Sequence, residues 1–404
     1  MSDITQGPPP LPAPAAAPSL PVTGEPVAFS WAGKTWGLAG LGFFNLFLTI
    51  ITLGIYHFWA KTEVRRRLSA SIRVNGEPLE YTGTGKELFL GFLIVLFAIL
   101  LPFQLALFGA NLYLGPAGGI VAFLILPFFW YLYGVAVYRA RRYRRSRLRW
   151  RGVRGALAGS SWSYGWHNLW TSVVGSMTYG WLTPWRDNML HRETMSATRF
   201  GDRPFKYLGK AGPLYPTYAL AWVGSLVLLL LTLGFAAAVL WPASQPLRDA
   251  IAHAPTLDNG QPDWKSPEIK AHWPLIAGLI AAGYGFLALY GLIASVLWSL
   301  FYAREYRYFT GETALEGLRF NLEVKGWSLF WLFFSNTLMS LLTLTILSPV
   351  AEARVARYFV NRLSSEGLID FAAIQQSQAR LSKTGEGLAE AFDVEANSYF
   401  ILSI

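Results

Sequence analysis

Apolar positions group along this chain into runs of two lengths, and the polar residues that follow each run carry as much information. Four runs, Leu88–Ala110, Gly119–Val137, Leu214–Trp241 and Trp273–Ala303, approach or pass the roughly 20 apolar residues that cover a bilayer as a helix. Three shorter stretches reach Thr52, Thr178 and Thr343. The first shows the boundary most plainly: "TLGIYHFWAKTEVRRR", Thr52 to Arg67, sets aromatics directly against basic side chains. Aromatic residues at headgroup depth with cations just beyond them mark a water–lipid boundary. The middle stretch, "YGWHNLWTSVVGSMTYGWLTPW", is polar and broken by glycine. It makes a poor lipid-facing span, since irregular backbone at membrane depth survives only where protein or water satisfies it.

The three shorter stretches are in register. Thr52, Thr178 and Thr343 are followed seven residues on by Trp59, Trp185 and Val350, and fourteen on by Arg66, Arg192 and Arg357. Pro184 and Pro349 stand at the place of Phe58. Between the first two copies the register continues through Arg73 with Arg199, Pro78 with Pro204, Tyr81 with Tyr207 and Gly83 with Gly209. Asn45 and Asn336 precede their threonines by seven residues, and Asn168 lies three residues further back. Gap-free spacing of this kind predicts three degenerate copies of one unit. The first two close on "SIRVNGEPLEYTG" and "ATRFGDRPFKYLG", which read as short strands about turns at Asn75-Gly76 and Gly201-Asp202. The third offers the weaker "EGLIDFAAI".

Charge placement orders the segments. Lys and Arg number six in Lys61–Lys86, nine in Arg139–Arg154, six in Arg186–Lys210 and four in Arg304–Lys325. The stretch 102–118 has none, and 242–272 has only Arg248, Lys265 and Lys270. Seven crossings would put two of the rich stretches outside. Four crossings, with three segments that enter and return on one face, keep every rich stretch cytoplasmic. The expected fold is an all-α integral membrane protein with short cytoplasmic β-hairpins, three degenerate repeats and four to seven membrane segments. A version in which copies one and three cross and copy two does not stays open.

The expected organisation is a disordered Pro/Ala-rich tail (1–28), copy one (29–87), a helix pair (88–138) and a basic stem with copy two (139–213). A second helix pair with a polar external loop at 242–272 (214–303), copy three (304–371) and a polar tail containing a short amphipathic helix (372–404) complete it.

Composition narrows the class further. Hydrophobic residues make up 53% and charged residues 14% of the 404, where soluble domains carry roughly 25% charge. The net charge of +10 sits at the ends of apolar runs rather than on a separate polar domain. Anionic headgroups are therefore the expected counter-charge, and nucleic acid is not an expected partner. With no cysteine, disulfides, iron–sulfur clusters, thiol catalysis and Cys-ligated zinc are excluded. The first 26 residues have neither a basic nor an apolar signal region.

From Val27 to about Arg362 the chain resembles the YjgN-like family of bacterial inner-membrane proteins, whose domain carries a label of unknown function. The resemblance rests on Asn45, "TLGIY", "WAK", the arginine cluster and the G-x-x-x-x-Y-x-G pattern ending at Gly83, with "TRFGDRPFKY" and "EGLRF" on the same plan. His57, Thr345 and Val350 depart from it. The resemblance implies a multi-pass protein of the bacterial inner membrane and implies no reaction.

The search for chemistry is mostly negative. H-E-x-x-H, G-x-S-x-G and Walker A patterns are absent, and "GTGKEL" at 83–88 lacks the upstream glycine and the following Ser or Thr. The five histidines are not spaced as metal ligands, and His57 and His167 read as interfacial hydrogen-bonding groups. The four long runs contain no Asp or Glu, which disfavours a proton- or sodium-coupled transporter. Polar residues repeated at depth, Asn45, Thr49, Thr52, Asn168, Thr171, Thr178, Asn336, Thr343 and Thr345, could line a shared polar cavity or bond between segments. Arg66, Arg192 and Arg357 are candidate anionic-lipid contacts, beside plain anchoring. Arg139–Arg154 reads as a helical stem at the headgroups.

No catalytic residue, metal or cofactor is expected. The expected partners are membrane lipids and, as a second class, another membrane protein. The expected function is a non-enzymatic membrane-organising or adaptor role, with a passive channel or uncoupled transporter as the alternative. A lipid-directed enzyme would need a catalytic constellation that the sequence does not offer.

Overall fold

The computed structural model describes residues 24–257 and 260–377. Most of the Pro/Ala-rich tail and of the polar C-terminal tail, with its expected amphipathic helix, lies outside them. In chain order, β1 (Phe29–Trp31) leads into α1 (Ala39–Ile51) and α2 (His57–Ser71), then β2 (Ile72–Val74), β3 (Glu77–Pro78) and β4 (Glu80–Tyr81). Next, α3 (Gly85–Val95) and α4 (Leu101–Leu114) run on through one π turn, and α5 (Gly118–Arg147) returns to β5 (Leu148–Trp150) and β6 (Val153–Leu157). The middle of the chain holds α6 (Ser161–Met177), α7 (Thr183–Ser196), β7 (Thr198–Phe200) and β8 (Arg203–Tyr207). A long excursion follows through α8 (Tyr215–Ala243), α9 (Gln245–His253), α10 (Pro267–Lys270) and α11 (Trp273–Gly311). The described chain ends with β9 (Thr313–Leu315), β10 (Leu318–Leu322), α12 (Gly326–Leu342), α13 (Ser348–Val360) and β11 (Leu363–Glu366).

Four stretches are long and apolar enough to cross a membrane: Gly85–Leu114, Gly118–Arg147, Gly212–Ala243 and Trp273–Gly311, of 30 to 39 residues. They coincide with the four long apolar runs of the sequence. The other helices of the repeated stretches are shorter, 13 residues for α1 and 17 each for α6 and α12. At 1.5 Å per residue, 17 residues reach about 25 Å, short of the roughly 30 Å hydrocarbon core.

The strands are short, yet they join into one surface. They form two hydrogen-bonded sheets, β1–β3 and β4–β11, and in each every pair is antiparallel and consecutive in sequence. In the passage from β3 to β4, the Leu79 amide donates to Ile72 O at 3.0 Å. The two ends then meet. Glu25 and Ile369 exchange backbone hydrogen bonds of 2.9 and 3.2 Å, and Ser365 Oγ donates to Val27 O at 2.7 Å. The two sheets thus meet at both ends, through the β3–β4 passage and the Glu25–Ile369 bridge, and together form a closed sheet surface with little free edge. Inward positions alternate along the strands as the pleat requires: Ile72 and Val74, Leu148 and Trp150, Phe205 and Tyr207, and Leu318 and Leu322 are buried.

Each helical excursion leaves and re-enters this sheet through paired strands. The α1–α2 pair stands between β1 and β2, α3–α5 between β4 and β5, and α6–α7 between β6 and β7. The α8–α11 excursion stands between β8 and β9, and α12–α13 between β10 and β11. The hairpin turns lie at the opposite end of the strands, with left-handed residues at Asn75-Gly76, Arg151-Gly152, Gly201 and Glu316.

Two sequence expectations change here. The stretch Arg139–Arg154 is not one helical stem: α5 ends at Arg147 and the chain continues as the β5–β6 hairpin. Arg144, Arg145 and Arg147 are buried rather than presented around a helix. The last long helix also does not stop at Ala303. It runs on to Gly311 and buries Glu305, 1% exposed, in its final turns.

Candidate functional site

The three shorter helix pairs reverse direction in the same way. Leu53 and Gly54, Tyr179 and Gly180, and Leu344 and Thr345 all take positive φ, between 47° and 92°. In each, the second residue's amide reaches back to the carbonyl five residues earlier: Gly54 to Thr49 (2.7 Å), Gly180 to Gly175 (2.8 Å) and Thr345 to Ser340 (2.7 Å). This 6→1 bond closes a helix whose C-terminal carbonyls would otherwise be orphaned. The threonines before these turns bond within their own unit. Thr52 Oγ1 donates to Leu48 O (2.8 Å) and accepts from the Tyr56 amide (2.9 Å). Thr343 does the same with Met339 O (2.8 Å) and the Leu347 amide (3.4 Å), while Thr178 donates to Gly175 O (2.9 Å). The residue opening each turn is large, apolar or aromatic, and almost bare: Leu53 is 93%, Tyr179 87% and Leu344 80% exposed.

The asparagines stand deeper and on separate pairs of helices. Asn45, Asn168 and Asn336 are all buried, and each keeps one side-chain amide atom without a partner. Asn168 abuts Gly134 of α5, where a Cβ would lie 2.9 Å away, and Asn336 donates to Ala351 O of α13 at 3.3 Å. Thr171 is fully buried and bonds His167 O, and Thr49 supplies the carbonyl of the first turn. An open groove of about 490 Å³ is lined by Asn336, Thr337, Ser340 and Thr345.

The interior of the closed sheet is the second notable place. A cavity of about 130 Å³ is lined from β1 by Phe29, from β2 by Val74, from β5 by Trp150, from β8 by Phe205 and from β10 by Phe320. Helix ends close one side of it through His191 and Met195 of α7 and Phe309 and Thr310 of α11, and Phe371 closes the other. His191 stacks on Phe309 at 4.2 Å and meets Tyr207 edge-on at 4.8 Å. Burial among these rings, and then the charges of Arg141 and Arg145, push its pKa down to about 3, so the ring is neutral.

Similarity to known proteins bears on the membrane architecture rather than on either place. A family described as bacterial protein of unknown function (DUF898) matches residues 26–391. The chain belongs to this family. Among curated relatives, the inner membrane protein YjgN of Salmonella typhimurium is 43% identical over 51 residues, 13% of each chain. The inner membrane protein YjgN of Escherichia coli K12 is 45% identical over 60 residues, 14% of this chain and 15% of the relative. These alignments span well under a fifth of either protein. No solved structure matches. With its four long apolar helices, this DUF898 chain is a multi-pass protein of the bacterial inner membrane.

The candidate basic residues differ in exposure and partners. Arg66 pairs with Glu63 at 3.3 Å and Arg357 is exposed, but Arg192 donates to Gly209 O at 2.5 Å. On α5, Arg139 lies 5.0 Å over the Trp162 ring, and Arg141 donates to Tyr164 Oη and Thr194 Oγ1. Arg147 pairs with Glu87 at 2.7 Å. His167, expected at an interface, bonds Glu193 at 2.8 Å. Among the described residues no cluster of His, Asp and Glu is placed to hold a metal ion.

Sequence reasoning missed Glu305 and His191. Both carboxylate oxygens of Glu305 are buried without a hydrogen-bond partner. The hydropathy of "LFYAREYRYF" ends the apolar run before it. A helical count was the available signal: Glu305 follows the buried Phe301 by four residues and so falls on the same face of α11, with Phe309 four further on.

Proposed function

We propose that this protein organises the inner membrane from its cytoplasmic face, with a closed sheet holding four crossing helices and three short helix pairs that dip into the near leaflet. The three pairs are read as degenerate copies of one unit, and the hairpins of the sheet as cytoplasmic. The observation that carries the reading is the set of turn residues Leu53, Tyr179 and Leu344. Each combines positive φ with near-complete exposure of a large side chain. In water such a position favours Gly or Asn, so a bare Leu or Tyr there fits a tip immersed in lipid. Short pairs entering from one side take up area in one leaflet only, which is how such a protein would order or bend the lipid around it. The density of arginines on the sheet side supports a cytoplasmic location for it, with Arg66, Arg192 and Arg357 near anionic headgroups. The same surface would serve as an adaptor for another membrane protein.

Because the chain has no cysteine, single cysteines at positions 53, 179 and 344 can carry an environment-sensitive fluorophore. Quenching by lipids brominated along the acyl chain is the expected result at all three. Quenching only by an aqueous agent overturns the reading. A passive path for a small solute is the second reading, favoured by a groove of about 660 Å³ between α11 and α12 that presents Ser295, Ser299 and Thr337. Solute release from liposomes reconstituted with purified protein would favour that reading over the first.

A further inference from the structure

We propose that the closed sheet is a binding chamber for a small, neutral, mostly apolar molecule bearing one hydroxyl group, such as a phenol, held by His191 Nε2 and Thr310 Oγ1. The cavity of about 130 Å³ is close to the roughly 150 Å³ of an engineered apolar cavity that stays dry and takes benzene. Protein interiors are packed like organic crystals, so a void of this size inside a closed sheet calls for an occupant. Its walls, among them Phe29, Val74, Trp150, Phe205 and Phe320, are apolar. Three polar side chains break that surface, and one of them, Thr313, donates its hydroxyl to Phe309 O at 2.7 Å. His191 Nε2 and Thr310 Oγ1 are buried, and neither has a hydrogen-bond partner. Thr310 itself is only 5% exposed. Buried polar atoms without partners are costly and uncommon.

The chemistry of these two atoms selects the ligand. A neutral imidazole whose Nδ1 carries the proton presents Nε2 as an acceptor, and a threonine hydroxyl can donate. One ligand hydroxyl serves both, donating to Nε2 and accepting from Oγ1. A pure hydrocarbon would leave both atoms orphaned. A carboxylate would bring a charge into a chamber whose lining holds no cation.

Entry is controlled at the end remote from the helices. There the segment Phe371–Ser377 lies across the hairpin turns. Phe371 meets Trp150 edge-on at 4.6 Å, the Gln375 amide donates to Asp202 Oδ1 at 3.1 Å, and Gln376 Nε2 donates to Gly152 O at 2.8 Å. The Asp202 amide also donates to Gln375 O, the Arg154 amide to Gln376 Oε1, and the Arg203 and Arg154 guanidinium groups to Ala373 O and Ser377 O. Most of these bonds are exposed, the kind that open locally.

The test uses the purified full chain in lipid nanodiscs and fluorine NMR of 4-fluorophenol and fluorobenzene, with empty nanodiscs as the partition control. A saturable bound resonance for 4-fluorophenol, with affinity about tenfold or more above fluorobenzene, is the expected result, as for one well-placed hydrogen bond. Thr310→Val, nearly isosteric, should cut that preference several-fold, since only the bond to His191 Nε2 remains, while leaving the fluorobenzene signal unchanged. Val74→Phe, which fills the chamber, should abolish both signals. Should Val74→Phe fail to fold, competition between 4-fluorophenol and xenon for the wild-type chamber replaces it. Equal affinity for the two probes, or a preference undiminished in Thr310→Val, overturns the hydroxyl assignment. No saturable signal for either probe, as expected if a bridging water satisfies the two atoms, overturns the chamber itself.

Discussion

Replacing Leu53 by Gly and by Asn separates a tip in lipid from a tip in water, because the two media give opposite orders. Leu53 holds φ 51° and is 93% exposed. Left-handed backbone costs a non-glycine residue about 1–2 kcal/mol, and both Gly and Asn relieve most of it. In water little else changes, since a bare side chain buries nothing. Leu53→Gly would then gain up to about 1 kcal/mol, less what glycine's freer unfolded chain takes back, roughly 0.5–1 kcal/mol. Leu53→Asn would gain as much or more. In lipid the Leu side chain contributes about 1.5–3 kcal/mol by leaving water. Leu53→Gly then loses about 1 kcal/mol net of the relieved strain. Leu53→Asn loses a further ~2 kcal/mol or more, because its amide must leave water without a partner. Urea unfolding in bicelles, followed by tryptophan fluorescence, extracts the short pairs into water and registers these transfers. The expected order is wild type, then Gly, then Asn. An Asn variant as stable as the Gly variant, or either one more stable than wild type, refutes immersion of the tip.

Three further outcomes follow from single sites. His191 has a folded-state pKa pushed down to about 3, against an ordinary value near 6.5, so the unfolded chain binds the extra proton first as pH falls. Its contribution to stability is complete above about pH 6.5 and is lost at up to about 1.4 kcal/mol per pH unit down toward 3. A His191→Phe variant should flatten that slope in unfolding midpoints measured between pH 4 and 7. Gly201 has φ 59°, and a Cβ there would lie 2.3 Å from Gln375 O. Gly201→Ala should therefore destabilise by about 2 kcal/mol and loosen the segment over the hairpin turns, read as faster limited proteolysis at 371–377. Glu305→Gln keeps the buried polar atoms, which have no hydrogen-bond partner, but removes the interactions with the carboxyl of Asp187 and the cation Arg186. It should raise stability by about 1 kcal/mol in an unfolding measurement by relieving the like charge. Loss of stability instead would mean that the attraction of Arg186 outweighs the repulsion of Asp187.

The long apolar runs located all four helices long enough to cross, with their N-terminal ends within about three residues, while two C-terminal ends run on past Val137 and Ala303. The closed sheet was not legible. Its strands have two to five residues, too few for a period-2 pattern to stand out. The contacts that close it join residues as far apart as Val27 and Ser365. His191 sits in a stretch of charged residues that reads as surface. It is packed away by Phe309, more than a hundred residues later in the chain, which stacks on its ring, and by Tyr207 edge-on. Glu305 was lost for a related reason. Hydropathy ends the run at Ala303, while the hydrogen-bond ladder of α11 continues to Gly311. Composition locates where a helix leaves lipid, and only packing tells which of its next turns stays dry.

The pairing of the sheet also changes what counting membrane segments can mean. Read along the sequence, each short stretch is one segment, so whether it crosses decides on which side everything after it lies. In the folded chain each is a pair of helices whose two ends sit on hydrogen-bonded strands: Trp31 opposite Ile72, Leu157 opposite Thr198, and Leu322 opposite Leu363. A pair that starts and finishes on neighbouring strands contributes either no crossing or two. The long helices are bound by the same condition, through Tyr81 opposite Leu148 and Tyr207 opposite Thr313. The number of crossings is then even whatever depth the short pairs reach, and Glu25 and Ile369, bonded to each other, lie on one side. Depth and sidedness become independent questions. Lengthening α6 and α7 by a turn each would alter how far Tyr179 penetrates and leave the location of every hairpin unchanged. Reporter fusions after Ile404 and before Met1 should accordingly give the same compartment, and a split result would require a strand to have left the sheet.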